Sequence, residues 1–117
     1  MISSTKRTLS ALNAFDKKMN VIANNVANVE TEEFNKSRAT LVEGPETTVK
    51  VEVTQPEDPG PTVVQVTDGQ IEEKEMPNVD LAEEIPQSIV AQRGYEANLA
   101  TIRTQDDMLN SILDIVG

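Results

Sequence analysis

Two stretches of the chain repeat apolar residues at helical spacing, and the stretch between them alternates. Near the N-terminus, Leu12, Phe15, Met19, Ile22, Val26 and Val29 follow a 3-4-3-4-3 spacing. That is the a/d stripe of a heptad, which keeps one face of an α-helix apolar. Leu9 widens the stripe at its start, and neither Gly nor Pro interrupts residues 1–43. A helix over residues 4–29 would be a rod of roughly 39 Å. Asn24, Asn25 and Asn28 crowd its last turns, and Asn tolerates terminal and left-handed conformations. The helix is therefore expected to end between Asn28 and Glu30.

The second stripe is longer. Leu81 and Ile85 open it, and Tyr95, Leu99, Ile102, Leu109, Leu113 and Val116 continue the register with Asp106 as one polar intruder. Asp80 followed by Glu83 resembles a capping box, with Asp in the Ser/Thr role. A straight helix over residues 81–116 would span about 54 Å. Pro86 removes a backbone donor near its start, which predicts a kink there or a helix that begins near Pro86.

Between the stripes, Val49, Val51 and Val53 alternate with Lys50, Glu52 and Thr54, the period of a half-buried strand. Thr62–Thr67 (TVVQVT) is a second β-prone run, with a loop over residues 55–61 before it. Asp68-Gly69 is a turn signal leading toward a short strand near Gln70 and Ile71. A two-strand ribbon is marginal alone, so it must lean on a helix or on another subunit. The expected fold is mainly α with a small β element, an α+β arrangement. Long N- and C-terminal helices pack as a coiled-coil-like hairpin with a short β-hairpin inserted between them. Three segments follow: an N-terminal helix with its extended loop (1–42), an acidic Pro-rich β segment (43–79) and a C-terminal helix (80–117). The two helices form one domain together.

Charge sharpens this division. The 117 residues carry 10 Lys+Arg and 20 Asp+Glu, a formal net charge of −10. Residues 1–42 have a net charge of +2, residues 43–79 of −7 and residues 80–117 of −5. Five of the six prolines lie in the middle segment, so helix breakers and acid coincide there. An acidic chain is a poor match for nucleic acid or an anionic membrane surface. No stretch reaches the ~18 apolar residues of a membrane-spanning helix. The residues after Lys6-Arg7 are too polar for a signal-peptide core, so export would need a route that reads no ordinary cleavable signal.

Candidate chemistry is thin. The chain has no Cys, His or Trp, one Tyr and two Phe. That excludes disulfides, a thiolate nucleophile, the usual neutral-pH base and the commonest metal ligand. The carboxylate pairs Glu32-Glu33, Glu72-Glu73, Glu83-Glu84 and Asp106-Asp107 are adjacent, and neighbours on a helix do not face each other. They read as solvated surface charge. No phosphate loop or EF-hand spacing occurs. The reading is a non-enzyme with no catalytic residue, metal site or cofactor.

The apolar surplus is more informative. Two helices share one seam, yet Ile89, Val90, Ile112 and Ile115 lie beside the second stripe. Leu9, Ala11, Ala14, Ala23 and Ala27 lie beside the first. A monomer would leave such surface exposed, which usually means association. Asn13, Asn20, Asn24 and Asn28 share one helical face. They form either a solvated face with an Asn-rich cap or amides that cross-link neighbouring helices.

Residues 10–31, SALNAFDKKMNVIANNVANVET, resemble the N-terminal signature of bacterial flagellar axial proteins of the rod and hook group. Residues 77–85, PNVDLAEEI, and 89–98, IVAQRGYEAN, resemble the C-terminal signature of the same family. The short middle segment is most similar to a small proximal-rod subunit. Three positions depart from the family pattern: Glu30, Pro86 and Gly94. They are expected to loosen the helices before assembly. The resemblance implies export through the flagellar type III apparatus without a cleaved signal. It also implies polymerisation with copies of itself and other axial proteins, and a place in the basal-body rod that passes torque across the periplasm. The implied assembly interface is the two stripes, from Leu12 to Val26 and from Leu81 to Leu113, with Asn24 and Asn28. The competing reading is a soluble helical adaptor or export chaperone that binds one partner protein.

Overall fold

In the computed structural model, which describes residues 2–117, both stripes are helices. The first, α1, runs Ile2–Ala27 and leaves through turns to Glu30, in the predicted region. The last, α2, runs Leu81–Val116 without a break. Asp80 caps it: the side chain accepts from the Ala82 backbone N–H at 2.9 Å. Glu83 does not complete a capping box, because its carboxylate is engaged by Lys36 and Arg38. Pro86 neither ends nor begins α2. The carbonyl it deprives of a helical donor belongs to Ala82, an exposed residue of the first turn that water can reach.

The insertion is two hairpins rather than one. The strand β1 (Arg38–Glu43) pairs antiparallel with β2 (Val49–Thr54), in the register Ala39 to Val53 and Leu41 to Val51. The strand β3 (Thr62–Thr67) pairs with β4 (Gln70–Glu75), Val66 lying opposite Ile71. β1 falls in the segment the sequence predicts as an extended loop, since RATLVE alternates weakly and lies next to the Gly44-Pro45 turn. At Asp68 (φ 52°) and Gly69 (φ 78°) the backbone is left-handed, the type I′ geometry expected of Asp-Gly.

The other turn is strained. Glu46 (φ 57°) and Thr47 (φ 59°) are both left-handed, and Thr47 is β-branched. Replacing Thr47 with Gly is expected to raise stability by about 0.5–1 kcal/mol, net of the extra unfolded-state entropy. A thermal melt that falls, or does not move, would contradict this account of the turn.

The helices are antiparallel, and three contacts give their register. Gln105 Nε2 donates to Ser4 Oγ at 2.8 Å, the Phe15 ring lies on Gly94, and Asn25 Nδ2 donates to Glu84 Oε2 at 3.3 Å. β1 and β2 cover another side of α1, where Val49 N–H donates to Ser10 Oγ at 3.1 Å and Ala14 is buried. The core is small: Leu12, Ala14, Ile22, Ala39 and Ala91 are the buried apolar residues among those described. The molecule is a rod of 82 × 23 × 18 Å.

Candidate assembly site

Glycine and alanine decide how closely the helices approach. Ala91 is fully buried, and a Cβ at Gly94 would lie 2.4 Å from Phe15 Cζ. Gly94 therefore seats the Phe15 ring on the α2 backbone. Along α2 the inward positions are Glu84, Ser88, Ala91, Gly94, Asn98, Ile102 and Gln105. This line is rotated from the apolar stripe read in the sequence, with Ile102 common to both and the stripe's Leu99 half-buried beside it. Small and polar residues form much of the inner face, which turns a large part of the apolar stripe outward.

The interface residues expected from the sequence divide accordingly. Leu12 and Ile22 are buried, and Phe15, Met19, Asn28, Leu99 and Ile102 are half-buried. Val26, Asn24, Leu81, Ile85, Tyr95, Leu109 and Leu113 are exposed. Asn24 and Asn28 bond locally: Asn28 Nδ2 donates to the Asn24 carbonyl at 2.8 Å, and Thr31 Oγ1 to Asn28 Oδ1 at 3.1 Å.

The helices also differ in length. Ser4 meets Gln105, so the last two turns or so of α2 run past Ile2. Met108, Leu109, Ile112, Leu113, Ile115 and Val116 are exposed there, Leu113 at 66%. Ile2 and Leu9 face an open groove with Leu109 at the same end.

The opposite end is closed by a polar knot. Asn25 is 1% exposed, the largest fully buried side chain described. Its Nδ2 donates to the Ser37 carbonyl at 2.7 Å as well as to Glu84, and its Oδ1 accepts from Ser37 N–H at 3.0 Å. Asn78 extends the knot: Oδ1 accepts from Lys36 N–H at 2.7 Å, and Nδ2 donates to the Asp58 carbonyl at 2.8 Å. Lys36 Nζ reaches Glu83 at 3.0 Å, and Arg38 pairs with the same carboxylate. The sequence reading placed Asn25 among cap residues and missed its role. One signal was present, since Asn25 follows Ile22 by three residues on the inner face.

Hydrogen bonds from Arg38 and then Lys36 hold the Glu83 carboxyl below its ordinary pKa. The folded state thus binds fewer protons, so the pairing contributes fully above the unfolded Glu value. It is lost as pH falls through the lower folded value. Glu83→Gln is expected to cost at most about 1 kcal/mol at pH 7, since the site is partly exposed, and to narrow the gap to wild type in acid below about pH 4. Equal gaps at pH 7 and pH 3 in urea titrations would count against this.

Among the described residues there is no cluster of His, Cys, Asp or Glu able to hold a metal ion. No helix among them is long and apolar enough to cross a membrane. What the geometry offers is a scaffold with outward apolar faces.

Long antiparallel helices, clamped at one end and left apolar at the other, define a helical-hairpin scaffold. The family match makes that more particular. Residues 8–34 match the family model described as "Flagella basal body rod protein", and residues 74–115 match "Flagellar basal body rod FlgEFG protein C-terminal". Together these cover more than half of the chain, and the protein belongs to the flagellar rod and hook family. The flagellar hook protein FlgE of Escherichia coli (strain K12) is 49% identical over 41 residues, 35% of this chain and 10% of that protein. FlgE of Borreliella burgdorferi is 51% identical over 39 residues, 33% of this chain and 9% of its own length. The flagellar basal-body rod protein FlgG of Bacillus subtilis is 44% identical over 41 residues, 35% of this chain and 16% of its own length. The chain thus spans between about a tenth and a sixth of these relatives.

Proposed function

We propose that the protein is a non-enzymatic structural subunit of the flagellar basal-body rod, most like a small proximal-rod component. It polymerises with copies of itself and with other axial proteins through its terminal helices. The observation that carries this is the apolar surface of α2 that α1 leaves uncovered, from Leu81, Ile85 and Ile89 to the overhang at Leu109 and Leu113. An exposed apolar face of this extent marks a surface that a partner covers. Torque then passes through many parallel apolar contacts and needs no chemistry. In this reading the subunit reaches the rod through the flagellar export apparatus without a cleaved signal.

The test separates folding from assembly. Leu109→Glu with Leu113→Glu alters exposed residues, so the helical ellipticity and melting temperature of the purified chain should stay near wild type. Incorporation into isolated basal bodies and swimming should be lost, because a buried unpaired charge costs several kcal/mol. Intact rods containing the variant would sink the assembly interface. A wild-type chain that stays in the cytoplasm would sink the rod reading in favour of an adaptor or chaperone.

A further inference from the structure

Beyond its root, the β3–β4 hairpin packs on no other element among the described residues. Every residue of β3 is exposed, as are the first four of β4. Its connections are at the root, where Glu33 N–H donates to the Glu75 carbonyl, Lys74 pairs with Glu32 and Met76 N–H donates to the Pro61 carbonyl. The cross-strand register places Val64, Val66, Ile71 and Glu73 on one face. Ile71 is 75% exposed. A lone ribbon of this size is marginal in water, and both its edges are open for pairing.

A surface of complementary character lies elsewhere on the molecule. Between α1 and β2 is an open groove with Ala14, Val49 and Val51 as its apolar lining and Lys17 and Lys50 as its cations. Neither lysine forms an ion pair among the described residues. The hairpin offers aliphatic groups flanked by carboxylates, and the groove offers aliphatic groups flanked by ammonium groups.

The two cannot meet within one chain. The rod is 82 Å long, whereas α2 accounts for about 54 Å of it. β1 and β2 lie alongside α1, so the additional length belongs to β3 and β4, rooted at the knot beside the C-terminal end of α1. The hairpin projects away from the helices, and the groove lies on the middle of α1. From this juxtaposition we propose that the β3–β4 hairpin of one copy docks in the α1–β2 groove of the next copy. Such a contact joins two different surfaces and leaves one of each free, which extends a chain of subunits rather than closing a dimer. The inference rests on the self-assembly proposed above.

The absence of native cysteine makes the test direct. Full-length Ile71→Cys is mixed with full-length Asn13→Cys, whose site lines the groove, and oxidised with copper phenanthroline. A mixed disulfide dimer is expected in several-fold excess over either homodimer. Lys17→Glu in the Asn13→Cys partner should reduce it several-fold, and Glu73→Lys in the Ile71→Cys partner should restore it. Leu113→Cys reports independently whether copies associate, and circular dichroism confirms that each variant is folded. Leu113 cross-links without the mixed dimer, or a mixed dimer indifferent to both charge changes, would overturn the hairpin contact and leave self-assembly standing. No cross-link from either pair would overturn self-assembly and this contact with it.

Discussion

Asn25→Asp is expected to cost the folded chain about 4 kcal/mol at neutral pH, from two buried acceptors stripped of their donor and two carboxylates brought together. The change is nearly isosteric, so packing does not confuse the result. Asn25 uses both ends of its amide: Oδ1 accepts from Ser37 N–H, and Nδ2 serves the Ser37 carbonyl and Glu84. Aspartate keeps the first bond and loses the other two. Single domains have roughly 5–15 kcal/mol to lose, so the variant should keep only a thin margin and melt well below wild type. The pH dependence adds a second signature. Burial beside Glu84 would raise the pKa of the new carboxyl, so the folded state would bind the extra proton more readily than the unfolded one. The deficit relative to wild type should therefore shrink as pH falls toward about 4 and the protonated acid regains a donor. Urea titrations at neutral and acid pH measure both effects. A loss under about 1 kcal/mol would show that the amide is not the clamp described here.

The second large effect concerns Gly60. A Cβ at this position would lie 1.8 Å from the Met76 carbonyl oxygen and 2.9 Å from the Pro77 carbonyl carbon. These are backbone atoms, so no side-chain rotation relieves the clash. The φ of Gly60 is not in the left-handed region, which leaves sterics as the reason for glycine. Gly60→Ala must push the chain before β3 away from the chain after β4. The Met76 N–H to Pro61 bond and the Asn78 to Asp58 bond lie directly in the path. The expected cost is about 2–3 kcal/mol after subtracting the entropy gained by removing a glycine from the unfolded chain. Amide exchange should accelerate through residues 62–75 well before it does in α1. An alanine variant as stable as wild type, with unchanged exchange in the hairpin, would refute the close approach.

Element boundaries were the most legible part of the molecule. The Leu12 to Val29 spacing and the Asn-rich turn bracketed α1, and Asp80 marked the start of α2, because these are local signals. Pro86 was less legible: α2 starts at Leu81 rather than near Pro86, since the proline deprives only the exposed Ala82 carbonyl of its donor. β1 was not legible, since six weakly alternating residues become a strand only when β2 is there to pair with them. The candidate site was partly legible. Surplus apolar residues on the C-terminal stripe announced an uncovered face. The buried amide was not read from the Asn cluster, where Asn24, Asn25 and Asn28 look alike.

By itself the sequence determined two amphipathic helices, the Asp80 cap of the second and an acidic β-rich interruption between them. These follow from period, composition and local backbone preference. Tertiary structure alone decided which face of α2 turns inward. That choice depends on how near two backbones can come, and Gly94 under Phe15 with Ala91 buried beside it favours the small face over the apolar one. The consequence is the outward display of aliphatic residues on which the proposed assembly rests. The same reason made Asn25 a clamp and Asn24 a surface residue: one position of helical rotation separates them, and only a packed neighbour gives that rotation meaning.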